Sequence, residues 1–140
     1  MMIEIGYATE RDCTLWLELD RHIAREELLN KIRLRRCYLL RDQTGTVGIM
    51  RYNLFWDSIP FLTMIYLAVR HRNRGFGREA VTHWEEEMRS LGHTCVMTST
   101  RSDEEAQHFY RKLGYKDAGC LLLDIPPEYQ PLEIFFTKEI

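Results

Sequence analysis

The chain has 140 residues, of which 45% are hydrophobic and 29% charged, a balance typical of one compact globular domain spanning residues 1–140. A formal net charge of −2 and a pI near 6.2 provide no global basic field, which argues against nucleic acid or an anionic membrane as a partner. Any anion-binding surface must therefore be local.

Cysteine usage and hydropathy favour a cytoplasmic protein. The four cysteines are widely separated and lack the paired spacing of a disulfide framework or a zinc site, so we expect reduced thiols and no metal. Glu4, Glu10, Arg11 and Asp12 charge the first dozen residues, and no apolar run approaches the roughly 18 residues of a membrane span. We therefore expect neither a signal peptide nor a membrane anchor.

Hydrophobic periodicity predicts the order β-α-α-β-β-β-α-β-α-β-β, which is typical of an α+β, or mixed α/β, single domain with a mostly antiparallel sheet. The helix starts are indicated by Thr9 with Asp12 and by a capping box at Ser102. Strands are predicted at 2–7, 37–41, 47–56, 61–69, 95–100, 118–125 and 132–138, and helices at 9–17, 22–33, 75–91 and 102–113.

The segment after the strand at 61–69 indicates an anion site. Two glycines open the following helix, where unpaired amides and the helix dipole favour negative charge. A local basic cluster surrounds them, formed by Arg70, Arg72, Arg74 and Arg78. A phosphate or pyrophosphate suits this turn, although the glycines could merely start the helix while the arginines form a solvated face.

The same glycines fit the dinucleotide fingerprint G-x-G-x-x-A at Gly75–Ala80. A dinucleotide fold requires an acidic residue about 20 positions later, at the end of the next strand. The strand Val96–Thr100 offers none. Three strands joined by short connections before the motif also argue against a dinucleotide-dependent oxidoreductase.

Two motifs resemble those of the GNAT superfamily of N-acetyltransferases. R-x-x-G-x-G is present at Arg72–Gly77, and A-x-x-F-Y-x-x-x-G-Y is present at Ala106–Tyr115. The resemblance in element order covers essentially the whole chain. It implies acetyl-CoA as co-substrate and a sheet that splays open between the fourth and fifth strands, with the pantetheine arm in the gap.

The resemblance also implies which residues hold the co-substrate. Backbone groups of Leu67 and Val69 would pair with the pantetheine arm, and Asp103 lies where many members carry an asparagine, although a helix cap would explain it equally well. The pyrophosphate would be held by Arg72, Asn73, Arg74, Gly75, Phe76, Gly77 and Arg78.

For the reaction, the resemblance implies acetyl transfer to a primary amine by direct attack in a ternary complex. Tyr110 is the expected general acid beside the sulfur, although its helical spacing with Phe109 and Leu113 also suits core packing. A strand amide near Leu67 is the expected oxyanion donor. Some members carry a glutamate early in the fourth strand, where this chain has Phe61. Asp57 is therefore a candidate base or amine anchor, with turn formation before Pro60 as its alternative.

The expected acceptor is an amine-bearing small molecule or a peptide, since the predicted pocket combines aromatic rings with carboxylates. Its candidates are Trp16, Asp20, Trp56 and Asp57, although helical spacing also suits Trp16 to the core. A homodimer is a candidate assembly. The alternative function is a non-catalytic CoA-binding module that has lost its chemistry.

Overall fold

A computed structural model describes residues 3–140, so the predicted strand start at Met2 lies outside the described residues. The order of helices and strands is the predicted one. The strands are β1 (Glu4–Tyr7), β2 (Cys37–Asp42), β3 (Gly45–Phe55), β4 (Ile59–Leu67), β5 (Cys95–Arg101), β6 (Lys116–Leu121) and β7 (Glu133–Glu139). The helices are α1 (Cys13–Leu19), α2 (Arg25–Arg33), α3 (Phe76–Ser90) and α4 (Ala106–Lys112).

The strands follow the order β1-β2-β3-β4-β5-β7-β6, which confirms the predicted mixed, mostly antiparallel sheet. The pairs β1–β2, β2–β3, β5–β7 and β6–β7 are antiparallel, whereas β4 and β5 are parallel. The β4–β5 register pairs Phe61 with Met97 and Leu62 with Thr98. Leu62 and Thr98 are therefore the last pair of this register in the described residues.

The described residues form two compact units. The first contains residues up to Asn53 together with Thr63–Glu86, and the second contains Leu54–Leu62 and Glu87–Ile140. In the first unit, neighbouring β2 residues point to opposite faces. Leu39 packs in a core cluster with Trp16 and Leu28, whereas Tyr38 contacts the Tyr52 ring, which in turn contacts Trp84 of α3.

A buried ion pair links α1 to β3 in the first unit. Asp20 accepts hydrogen bonds from Arg51 Nε at 2.8 Å, Trp16 Nε1 at 3.0 Å and the His22 amide at 3.0 Å. Trp16 is 0% exposed and Asp20 is 1% exposed. Burial alone would raise the pKa of Asp20, but the bonds from Arg51, His22 and Trp16 together outweigh it, so the net pKa is lowered.

The structure corrects two predicted boundaries in the second unit. Helix α4 begins at Ala106 after Glu105 as its N-cap, and the capping box of Ser102 with Glu105 does not form because the Ser102 amide donates to the Leu132 carbonyl at 2.7 Å. The sixth strand begins at Lys116 and ends at Leu121, whereas the prediction extended it from Ala118 to Ile125. The segment that follows contains Pro126 and Pro127, which have no N–H group to continue a ladder.

Replacing Asp20 by asparagine should lower the free energy of unfolding by about 3 kcal/mol, because it leaves the buried Arg51 charge without its partner. Urea denaturation at pH 7 measures this, with the exposed Asp124→Asn as control. Since the folded pKa of Asp20 is lowered, its contribution exists above pH ~4 and disappears as the pH falls through the folded value. Equal stability of Asp20→Asn and the unaltered chain would contradict the assignment.

Candidate functional site

The predicted anion-binding turn lies between β4 and α3, within the first unit. Strand β4 ends at Leu67, a 3-10 turn covers Val69–His71, and α3 begins at Phe76. Asn73 and Gly75 have φ angles of 60° and 84°, a left-handed conformation that glycine and asparagine tolerate best. The backbone therefore turns sharply before the first amides of α3, which have no acceptor within the helix.

The predicted arginines of this turn have separate partners, and the guanidinium groups of Arg72 and Arg74 lie over aromatic rings. Arg72 Nε donates to the Leu67 carbonyl at 2.8 Å, and its guanidinium lies 5.6 Å from the Tyr66 ring centroid. The Arg74 guanidinium lies 4.8 Å from the Phe76 ring centroid. Arg72 thus holds the end of β4 against the turn.

His71 organises this cluster, a role that the sequence did not reveal. It is only 4% exposed, its Nε2 accepts from Arg70 Nε at 3.1 Å, and its Nδ1 lies 3.3 Å from Arg74 Nη1. The same Nδ1 lies 3.7 Å from Asp42 Oδ2. Two guanidinium groups and one carboxylate therefore meet at a single buried imidazole.

Asp42 is itself fixed in the hairpin turn between β2 and β3. Its Oδ1 accepts hydrogen bonds from the hydroxyl and the amide of Thr44, and these bonds lower the pKa of Asp42. An ionised Asp42 faces the imidazole as a result. No sequence signal joins Asp42 to His71, because only the pairing of distant segments brings them together.

The other predicted site residues of the first unit lie in three different environments: at the end of β4, beside an open cavity, and in the core. Ala68, between Leu67 and Val69, donates its amide to the Val47 carbonyl at 2.9 Å. Arg78 and Gly75 line an open cavity of about 430 Å³ between β1 and the start of α3. The side chains of Trp16 and Asp20 are buried and hydrogen-bonded to each other, so neither faces solvent where an acceptor could reach it.

In the second unit, Tyr110 lies beside the last β4–β5 pair. Its hydroxyl is hydrogen-bonded to Thr98, whose own hydroxyl donates to the Leu62 carbonyl at 2.9 Å. Tyr110 is 4% exposed, and its ring packs edge-on against Tyr115. Desolvation raises the pKa of Tyr110 to about 12, although the Thr98 bond lowers it in part.

Asp103 is exposed and binds Arg101 through both carboxylate oxygens, at 3.1 and 2.9 Å. The hydrogen bond from Arg101 lowers the pKa of Asp103. Because α4 begins at Ala106 after Glu105, Asp103 is not its cap, and the helix-cap alternative is wrong.

Trp56 and Asp57 form the tip of the β3–β4 hairpin with φ angles of 53° and 60°. Trp56 is 79% exposed, and Asp57 is exposed as well. A row of aromatic contacts leads away from the tip: Phe55 to Trp56 at 4.8 Å, Phe55 to Phe61 at 6.1 Å and Phe61 to Phe135 at 5.9 Å. We call these four rings the aromatic row.

Residues 3–140 lack two other kinds of feature. Among residues 3–140, no group of three or more His, Cys, Asp or Glu side chains could hold a metal ion. No helix in this range is both long enough and apolar enough to cross a membrane.

Comparison with known proteins identifies a family. Residues 5–115 match the model of the acetyltransferase (GNAT) family. None of the curated protein sequences compared with the chain matches it significantly.

Solved structures share the fold at low sequence identity. The ribosomal-protein-S18-alanine N-acetyltransferase of Escherichia coli has a TM-score of 0.82 at 16% identity, covering 99% of this chain and 94% of that one. The PaiA N-acetyltransferase of Thermoplasma acidophilum, solved with coenzyme A, has a TM-score of 0.78 at 16% identity, covering 100% of both chains. The spermidine/spermine N-acetyltransferase SpeG of Vibrio cholerae has a TM-score of 0.77 at 13% identity, covering 98% and 92%.

Proposed function

Because the chain belongs to the acetyltransferase (GNAT) family, we propose that it transfers the acetyl group of acetyl-CoA to a primary amine of a small molecule or peptide. The proposal includes direct attack in a ternary complex, no metal, a cytoplasmic location and residues 1–140 acting as one acetyltransferase domain. The observation that carries it is the turn between β4 and α3, where His71 gathers two arginines beside the first amides of a helix.

The turn has the chemistry that a pyrophosphate requires. Guanidinium groups and helix-start amides donate to phosphate oxygens, and the left-handed backbone at Gly75 leaves open space where a side chain would otherwise stand. We propose that Arg72–Arg78 hold the pyrophosphate and that backbone groups of Leu67 and Val69 pair with the pantetheine arm. Asp103 remains a proposed co-substrate contact.

Two groups assist the chemical step in this proposal. The Leu67 amide donates to the oxygen on which negative charge develops. Tyr110 gives its hydroxyl proton to the departing sulfur. Burial raises the pKa of Tyr110 to about 12, so its hydroxyl keeps its proton at neutral pH until the thiolate forms.

For the acceptor, we propose that Trp56 and Asp57 contact the amine-bearing group, since an exposed indole and a carboxylate both attract a cation. Structurally similar proteins include enzymes named for a ribosomal-protein alanine and for spermidine/spermine, so peptides and polyamines both enter the test. Thiol release from acetyl-CoA is measured with polyamines, amino acids, aminoglycosides and peptides, alongside calorimetry with acetyl-CoA, CoA and NAD. Tight CoA binding without turnover would favour a non-catalytic module, and NAD binding without CoA binding would refute the proposal.

Gly75→Val should abolish acetyl-CoA binding by filling the space that the phosphates approach. Its conformational strain alone costs about 1–2 kcal/mol of stability. Gly92→Val is the matched control, because Gly92 has φ of 95° and equally open surroundings beyond the end of α3. Calorimetry should show lost affinity only for Gly75→Val; equal affinities in both variants would remove the turn from the site.

His71→Phe should raise the KM for acetyl-CoA about tenfold with little change in kcat, because it removes the acceptor of Arg70 Nε and the imidazole nitrogen beside Arg74. A charge-assisted hydrogen bond of 1.5–3 kcal/mol corresponds to roughly this factor or more. Steady-state kinetics measure both constants, and the exposed His108→Phe provides the control. An unchanged KM would show that His71 does not position the arginines.

Tyr110→Phe should preserve acetyl-CoA affinity and lower turnover about 10²-fold or more, since it removes only the hydroxyl. Calorimetry and thiol release give the two quantities on one preparation. Undiminished turnover would eliminate Tyr110 as the acid and leave its ring as packing against Tyr115 and Phe136.

A further inference from the structure

The second unit holds a carboxylate whose two oxygens are both engaged. Glu133 is the first residue of β7 and accepts two hydrogen bonds. Its Oε2 accepts from the Ser99 hydroxyl at 2.6 Å, and its Oε1 accepts from the side-chain amide of Gln130 at 2.8 Å. Glu133 and Ser99 are both partly buried. Partners on β5 and on the segment before β7 thus hold this carboxylate in one orientation.

The position of Ser99 relates this carboxylate to Tyr110. Ser99 directly follows Thr98, which pairs with Leu62 and is hydrogen-bonded to Tyr110. Consecutive strand residues point to opposite faces and are about 3.3 Å apart along the strand. Tyr110 therefore meets one face of β5, and the Ser99–Glu133 pair lies on the other face at almost the same level.

Amide formation from a thioester needs an acid and a base close to the same carbonyl carbon. An acid must reach the sulfur and a base must reach the amine, and sulfur and amine meet at one carbonyl carbon. If Tyr110 touches the sulfur, the base must lie within a few ångströms of the Thr98 position. Among the described carboxylates, Glu133 meets this requirement, because it is hydrogen-bonded to Ser99, the residue directly after Thr98.

We propose, on the basis of the proposed function, that Glu133 is the general base for the acceptor amine, with Ser99 and Gln130 as its positioning residues. The ammonium of the acceptor gives one proton to Glu133, which releases it to water. The neutral nitrogen attacks the acetyl carbon; as the C–S bond breaks, a second nitrogen proton goes to Glu133 and the sulfur takes the Tyr110 proton. Exchange with solvent restores both residues.

The surroundings of Glu133 suit an amine carried on an apolar group. Phe135, two residues further along β7, shares its face and ends the aromatic row. The β5 residue paired with Glu133 is Arg101, whose guanidinium is held by Asp103, and the β6 partner is the uncharged Leu121. Asp57 is exposed at the hairpin tip without such fixed partners for its carboxylate, so it serves better as an anchor than as a base.

The test compares Glu133→Gln with the unaltered enzyme, using whichever of spermidine, L-lysine, kanamycin or an alanine-leading peptide is acetylated best. At pH 7, kcat/KM for the amine should fall about 10²-fold while acetyl-CoA affinity is unchanged. The deficit should shrink as the pH rises toward the pKa of the amine, because a neutral amine no longer needs a base for its first proton. A purely structural role would give a deficit independent of pH.

Two variants complete the experiment. Ser99→Ala removes only the donor to Oε2 and should give a smaller, roughly 5–10-fold loss with the same pH dependence; it also serves if Glu133→Gln fails to fold. Glu128→Gln, an exposed carboxylate in the segment before β7, should match the unaltered enzyme. A pH-independent loss, no loss, or a pH-dependent loss in Asp57→Asn alone would overturn the assignment of Glu133. Absence of turnover by the unaltered enzyme with every amine would instead overturn the proposed function, and this inference with it.

Discussion

The hydrogen bond from the Thr98 hydroxyl to the Leu62 carbonyl occurs where the β4–β5 register ends, and it determines how Thr98 can interact with Tyr110. A threonine hydroxyl has one proton, and Thr98 donates it to the Leu62 carbonyl. Its oxygen can therefore only accept from Tyr110, which directs the phenol proton toward β5. In the proposed reaction, where Tyr110 is the acid, Thr98 can turn its own proton from Leu62 to the phenolate and so stabilise the conjugate base.

The predicted anion-binding turn depends on a local concentration of positive charge. The chain carries a net charge of −2, so positive potential must be concentrated locally. The buried His71 uses its one acceptor nitrogen for Arg70, and the ionised Asp42 near its other nitrogen offsets part of the charge of Arg74. In the proposed function, this fixed arrangement would lose little further side-chain entropy on binding a phosphate.

The sequence correctly predicted the features that depend on a local residue pattern. The order of elements, the end of α3 near Gly92 and the position of the arginine turn all follow from periodicity and glycine placement within one segment. The boundaries that failed depend on longer-range competition. At the start of α4, the Ser102 amide donates to the Leu132 carbonyl and is not available to a capping box, and β6 begins early because Lys116 pairs with Thr137 of β7. The roles of His71, Asp42 and Glu133 were missed for the same reason, since His71 meets Asp42, and Glu133 meets Ser99, only through contacts between distant segments.

Two pairs of tryptophan and aspartate show that residue type alone does not identify a binding site. Trp16 and Asp20 lie four residues apart on one helical face, so the indole N–H reaches the carboxylate, and Arg51 completes a buried, self-satisfied group. Trp56 and Asp57 are adjacent at a hairpin tip, where two left-handed residues direct both side chains to solvent. The residue types are identical, but the first pair has already met its hydrogen-bonding requirements inside the protein. Only the second retains an indole surface and a carboxylate that a cationic acceptor can use.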